Sequence, residues 1–289
     1  MLIAKLLTLA VAPLILAMPA RASFPGANGL IAFERETDGI LNFAIDVVRP
    51  DGSGRATIVD SGRSPSWSPD GKRLIFHTFR AGARHEELFV VNADGSGLRR
   101  IEHPVLDAFE PAWSPDGRRI AFSSYAKLGI NETFEIYVVN ADGSGRRRLT
   151  RNYMRDERPE WSPDGRRIAF QRIGSRGGIY TIRPNGKGLR RLTRTHDDAA
   201  SWSPDGRLIA FHRFGKGVMV MNADGSNAHL VVVDAYNPAW SPDGTNLTFT
   251  IAYSFDVNLY VADRDGGNMV QIVADSGQSP SKPDWQPLH

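Results

Sequence analysis

One pentapeptide decides most of what this chain can become. Trp-Ser-Pro-Asp-Gly occurs five times, at residues 67–71, 113–117, 161–165, 202–206 and 240–244. Successive tryptophans are 46, 48, 41 and 38 residues apart, and a degenerate sixth copy, Pro283-Asp284-Trp285, follows 45 residues after the last. Periods of roughly 40–50 residues belong to stacked or radially arranged units. Each copy is followed by a short apolar run, as in Ile120-Ala121-Phe122, and then a second, as in Ile136-Tyr137-Val138-Val139. The turn Asn140-Ala141-Asp142-Gly143-Ser144-Gly145 then leads to a third run ending at Leu149-Thr150. Such runs are rich in Val, Ile, Phe and Tyr and bounded by Gly, Asp and Pro, which is the strand signature. No segment carries the longer period of an amphipathic helix.

The two ends complete each other. Leu30-Ile31-Ala32-Phe33, Ile45-Asp46-Val47-Val48 and Ala56-Thr57-Ile58-Val59 form a unit without its tryptophan strand, and Pro283-Asp284-Trp285 is a tryptophan strand without its unit. Together they make one four-stranded blade. The expected fold is therefore all-β: a six-bladed β-propeller over residues 23–289, closed by the C-terminal strand, which is the radial solution to exposed strand edges. An open solenoid would need polar capping units, and nothing in the sequence resembles one. In such a ring Trp67, Trp113, Trp161, Trp202, Trp240 and Trp285 are plugs between neighbouring blades. The Ser-Pro-Asp-Gly and Asn-Ala-Asp-Gly-Ser-Gly stretches are tight turns. Their acids are too few per turn to fill a calcium shell.

Residues 1–22 read as a secretory signal peptide, with Lys5, an apolar stretch over 6–18 and the small-residue site Ala20-Arg21-Ala22. The expected location is the periplasm or the cell exterior, with no membrane span in the mature chain and a monomeric state. The whole sequence holds 35 Lys and Arg against 32 Asp and Glu. The leader removes Lys5 and Arg21, which leaves the mature chain near neutrality and gives nucleic-acid binding no support. There is no cysteine, so cohesion has to come from packing. Arg99-Arg100, Arg146-Arg147-Arg148 and Arg190-Arg191 recur at one repeat position. They read as solvated edge residues that discourage edge-to-edge pairing.

Catalytic motifs are absent: there is no Gly-x-Ser-x-Gly elbow, phosphate loop or His-Glu-x-x-His. No catalytic residue or cofactor is assigned. His77 and His212 follow the phenylalanine of corresponding strands in blades two and five. The most suggestive polar set lies just ahead of the tryptophan strands. It comprises Asp60, Asp107, Asp156 with Glu157, His196 with Asp197 and Asp198, Asp234 and Asp275. In a propeller those loops share one rim. Acids gathered there would focus negative potential on the channel mouth, to hold a cation such as calcium or a basic peptide segment. The alternative is a set of separate turn-capping aspartates.

The succession Trp-Ser-Pro-Asp-Gly, Ile-Ala-Phe, Ile-Tyr-Val-x-Asn-Ala-Asp-Gly-Ser-Gly and Arg-Leu-Thr resembles the WD-like (PD40) repeat of TolB-type propellers, over nearly all of residues 24–286. The resemblance implies a periplasmic six-bladed propeller that works by protein contacts. In TolB one propeller face docks a peptidoglycan-associated lipoprotein, so an envelope lipoprotein is one implied partner. TolB also carries an α/β domain ahead of the propeller, whereas here the repeats follow the leader directly. Related repeats form the gating propeller of prolyl-oligopeptidase-like enzymes, but no hydrolase segment accompanies them here. The expected function is a non-enzymatic interaction module. The alternative is a propeller enzyme or small-ligand binder, a metal-dependent lyase or lactonase-like hydrolase. It would require His77, His212 or His196 to converge with acids on the channel.

Overall fold

The computed structural model describes residues 25–37, 42–79, 85–102, 107–128, 131–253, 256–274 and 279–289. The leader assigned to 1–22, and Asp275, lie outside them. The described strands form six four-stranded antiparallel sheets. Blade 2 is typical: Arg63–Trp67 is innermost, followed outward by Arg73–Phe79, Glu86–Asn92 and Arg99–Arg100. The innermost strands touch one another in a closed cycle around the ring.

Blade 1 is assembled from both ends of the chain. Its inner strand is Ser281–Leu288, and Ala27–Glu36, Phe43–Val48 and Ala56–Val59 lie outside it. Ile31 stands opposite Trp285 and Ala32 opposite Asp284. The C-terminal strand therefore closes the ring as the repeat pattern requires.

The repeat residues explain why the blades stack. In blade 4 the Ser162 hydroxyl donates to Asp164 at 2.7 Å and accepts the Arg167 N–H at 2.9 Å, while Asp164 also accepts the Arg166 N–H. Gly165 closes the turn by donating its N–H to the Ser162 carbonyl at 2.8 Å. Its φ of +67° lies in the left-handed region, which glycine enters without penalty. A Cβ at Gly165 would stand 3.3 Å from Cγ of Pro115, in the turn of the preceding blade. The proline thus shapes its own turn and also packs on the next.

The hydrophobic core is divided into six seams, one between each pair of neighbouring blades. Trp113 packs with Ile75, Leu88 and Val90 of blade 2 and with Ile120 and Phe122 of its own blade. Trp285 does the same between blade 6, through Leu259 and Val261, and blade 1, through Ile31 and Phe33. Seams at Trp67, Trp161, Trp202 and Trp240 complete the set. Arg119 stacks over the Trp161 ring at 4.7 Å, capping that plug from the neighbouring blade.

This topology gives the ring two unlike ends. One rim carries the short turns that join first to second and third to fourth strands. The other carries the hairpins joining second to third strands and the crossings from one blade to the next. They are called here the turn rim and the loop rim.

Candidate functional site: the channel and its mouth

Six residues at one repeat position build the channel. Ser64, Glu110, Arg158, Ala199, Asn237 and Lys282 occupy the left-handed region, with φ of 50°, 52°, 53°, 50°, 52° and 48°. Each lies in the innermost strand of its blade, and five precede a proline, which disfavours the ordinary helical region. Each coincides with a register shift against the second strand, as between Arg63 and Ser66 or Asp198 and Ser201. The resulting bulge aims that side chain at the axis. Three consecutive residues from every inner strand enclose a narrow channel of about 130 Å³.

The channel is filled with paired charge. Arg158 of blade 4 stands across the ring from Lys282 of blade 1, with Glu110 of blade 3 between them. Arg158 Nε lies 3.3 Å from Glu110, and its Nη1 donates to Asn237 at 3.1 Å. Lys282 Nζ donates to Ser64 at 2.8 Å and lies 3.7 Å from Glu110 and 3.8 Å from Glu34. Glu34 also accepts the Ser64 N–H and the Ser281 hydroxyl. Burial alone would raise both carboxyls. For Glu34, Lys282 and the hydrogen bonds from Ser281 and Ser64 outweigh it; for Glu110, Lys282 and Arg158 do so. Both acids are therefore held below the ordinary glutamate value.

One layer deeper, Asp284 and Glu160 occupy corresponding positions on opposite blades. Asp284 has no basic partner at hydrogen-bond distance among the described residues. Its burial pushes the carboxyl up to about 7, against the lowering effect of the N–H groups of Trp67 and Trp285.

Above the channel the loop rim opens into a cavity of about 580 Å³. Phe43, Phe214 and Tyr236 give it apolar wall. Asp198, Asp234, Lys216, Arg158 and Lys282 supply charge of both signs. Phe214, on the hairpin of blade 5, is 81% exposed. Four other exposed aromatics lie toward the same rim: Phe79, Tyr125, Tyr153 and Tyr253. Tyr125 packs against Phe134 with ring centroids 4.2 Å apart, and both meet Phe109.

The acids read from the sequence fall into different surroundings. Asp156 and Asp197 are buried in matching pairs, with Arg172 at 2.6 Å and Arg213 at 2.9 Å. Glu157 is bound by Arg155 and by Gln171 at 3.3 Å. Asp107 accepts the Glu86 N–H and faces His85. Asp60 is exposed beside Phe79, away from the channel, and His196 is exposed. Asp198 and Asp234 are the two that line the mouth cavity. Asp275 lies outside the described residues. One placement has to be corrected. Asp156, Glu157, Asp197 and Asp198 belong to the inner strands Arg155–Trp161 and Asp197–Trp202, not to loops ahead of them. The bulges at Arg158 and Ala199 allow the strand to continue upstream of the proline position.

The histidines do not converge. His77 sits between Ser64 at 3.2 Å and Glu86 at 3.2 Å, and His212 pairs with Asp198 at 2.9 Å. Among the described residues no group of three or more His, Cys, Asp or Glu is placed to hold a metal ion. The convergence that a metal-dependent propeller enzyme would require is not found there. The channel residues themselves escaped the sequence reading. Their signal was the variable position before each proline, in Ser64-Pro65, Glu110-Pro111, Arg158-Pro159, Asn237-Pro238 and Lys282-Pro283.

Fold and site together define a closed six-bladed propeller with a charge-sealed channel and an open, aromatic-rimmed mouth. The family model of the TolB beta propeller domain matches residues 52–226 and 125–289, and the chain belongs to that family. TolB from Acinetobacter baumannii is similar in structure, with a TM-score of 0.76 and 20% identity over 92% of this chain and 68% of that one. A protein assigned as TolB from Agrobacterium tumefaciens gives 0.69 and 23% over 87% and 91%. Hydrazine synthase from Kuenenia stuttgartiensis gives 0.77 and 15% over 95% of this chain and 50% of that one. At such identities the likeness establishes the fold alone, and the last case shows the same ring within an enzyme. No curated protein matches the sequence at a significant level.

Proposed function

We propose that this chain is a non-enzymatic interaction module of the cell envelope, exported by residues 1–22, whose loop rim receives a protein partner. One observation carries the reading: all five strongly exposed aromatic side chains among the described residues, Phe79, Tyr125, Tyr153, Phe214 and Tyr253, lie toward that rim. Exposed aromatics are costly to leave in water and are enriched at protein interfaces, where they form the anchoring contacts. The channel beneath them is closed by its own ion pairs, which suits docking on the mouth better than passage through it.

The partner segment enters the mouth cavity and presents a basic side chain to Asp198 and Asp234, with its apolar part on Phe214 and Tyr236. An envelope lipoprotein of the kind implied by the TolB resemblance fits that description. A calcium ion at these two acids is the smaller occupant the same chemistry would accept. Replacing Phe214 and Tyr253 by serine should leave the melting temperature unchanged and abolish capture of the partner from envelope extract by immobilised propeller. Undiminished capture by the variant would remove the loop rim from consideration.

A further inference from the structure

The turn rim carries a charge asymmetry that the proposed docking at the mouth does not use. In blades 2, 3 and 4 its turns, residues 68–73, 92–100, 114–119, 140–148, 162–167 and 182–191, hold 15 Lys and Arg against 5 Asp. The corresponding segments of blades 5 and 6, residues 203–208, 222–230, 241–246 and 263–271, hold 2 basic residues against 5 Asp. A chain of nearly neutral mature charge thus places a dense basic sector on half of one rim.

Protection of strand edges does not account for it. The outermost strands of blades 2, 3 and 4 are Arg99–Arg100, Arg147–Arg148 and Arg190–Arg191. Those of blades 1, 5 and 6 are Ala56–Val59, His229–Val233 and Val270–Val273, equally at the edge and without a single Lys or Arg. Internal pairing accounts for only part of it: Arg100 meets Glu87 and Glu102, Arg119 meets Asp116, Arg148 meets Glu135 and Arg166 meets Asp164. Arg99, Arg118, Arg147, Arg183 and Lys187 are exposed and make no side-chain hydrogen bond or ion pair among the described residues.

We infer that this sector docks the propeller on an anionic lipid surface. Guanidinium groups match phosphate oxygens in bidentate geometry, and several at one level sum their attraction to a charged plane. Two exposed leucines stand among them at equivalent turn positions, Leu98, 59% exposed beside Arg99, and Leu189, 49% exposed beside Arg190; Met269, 47% exposed, holds that position in blade 6 without basic neighbours on its outer strand. A basic surface tipped with aliphatic side chains is the composition of interfacial membrane binders. Protein hot spots set aromatic anchors beside arginine, and single-stranded nucleic acid adds aromatic stacking platforms. Tyr125, Tyr153, Phe214 and Tyr253 lie toward the opposite rim, and Phe79 alone of the strongly exposed aromatics among the described residues shares a groove with Leu98, Arg99 and Arg100. Membrane and protein partner would then occupy opposite ends of the same ring.

The test is co-sedimentation of residues 23–289, whose ring closes within itself, with vesicles of about 30% phosphatidylglycerol in phosphatidylcholine and of phosphatidylcholine alone. Omitting the leader matters because its apolar stretch would bind lipid unaided. Binding is expected only to the anionic vesicles and should fade as salt is raised. Joint replacement Arg99→Gln, Arg118→Gln, Arg147→Gln, Arg183→Gln and Lys187→Gln should weaken it at least about a hundredfold with an unchanged melt. Leu98→Ser with Leu189→Ser should weaken it severalfold at constant charge. Equal binding to neutral vesicles, or indifference to the five replacements, overturns the inference. So does binding of soluble polyglutamate as tightly as vesicles with no effect of the leucine pair, which would assign the sector to an acidic macromolecule.

Discussion

The Asp284 carboxylate accepts the backbone N–H of Trp67 at 2.6 Å across 217 positions of sequence. The last strand of the chain thereby grips the plug of the second blade. The bond is made by a carboxyl raised from 3.8 to about 7, first by burial and against the two N–H groups it accepts. Between about pH 4 and pH 7 the folded chain retains a proton here that the unfolded chain has released. Stability from this site is complete below the unfolded value and is lost as pH rises through about 7. The corresponding swing is about 4 kcal/mol at most. Asp284→Asn keeps an acceptor for Trp67 and removes the titration. Urea melts should show the variant gaining on the wild type as pH goes from about 5 to about 8. Parallel profiles would mean that Asp284 titrates as an ordinary acid.

Removing residues 279–289 should unseat the whole ring. It deletes the inner strand of blade 1 and empties the last seam of Trp285, which is 3% exposed. It also removes Gln286, which accepts the Leu30 N–H at 3.0 Å and donates to the Gly71 carbonyl at 2.8 Å. The tryptophan alone is worth about 3–5 kcal/mol, a large part of a domain's margin. Scanning calorimetry should find a much lower transition or aggregation. An unchanged transition would show that closure does not depend on this strand.

The channel ion pairs should behave as a coupled unit. Arg158→Met removes the guanidinium from Glu110, which keeps Lys282 at 3.7 Å, the Ser123 hydroxyl and the backbone N–H of position 158, and it takes a partner from Asn237. The expected loss is about 2 kcal/mol, below the value for a fully buried pair because channel water reaches both groups. In a Glu110→Gln background the same replacement should cost less than about 1 kcal/mol. Additive losses in a double-mutant cycle would show that the pair contributes nothing jointly.

The sequence disclosed the ring but much less of its centre, for a physical reason. Tryptophan, proline and glycine at fixed spacing report packing and turn geometry, and both recur in every blade. Trp113 and Gly165 therefore stand where the repeat placed them. The channel depends on the one inner-strand position that does not repeat, occupied by Ser64, Glu110, Arg158, Ala199, Asn237 and Lys282. Its orientation comes from a backbone bulge that residue type does not announce. Asp156 and Asp197 looked like free loop acids because Arg172 and Arg213, their partners, come from the adjacent strand 16 residues later. That pairing follows from register, which the sequence pattern alone leaves open.

The loop rim as working face is tested most directly by placing a photo-reactive benzoyl-phenylalanine at one position on each end of the ring. Phe214 marks the loop rim, and Thr245, exposed in the turn of blade 6, marks the turn rim. Irradiation in envelope extract should give a discrete protein adduct at position 214 and none at 245. Excess wild-type propeller should suppress the adduct, and the Phe214→Ser, Tyr253→Ser variant should not. An adduct of equal yield at both positions, or at 245 alone, would contradict a protein partner seated at the channel mouth.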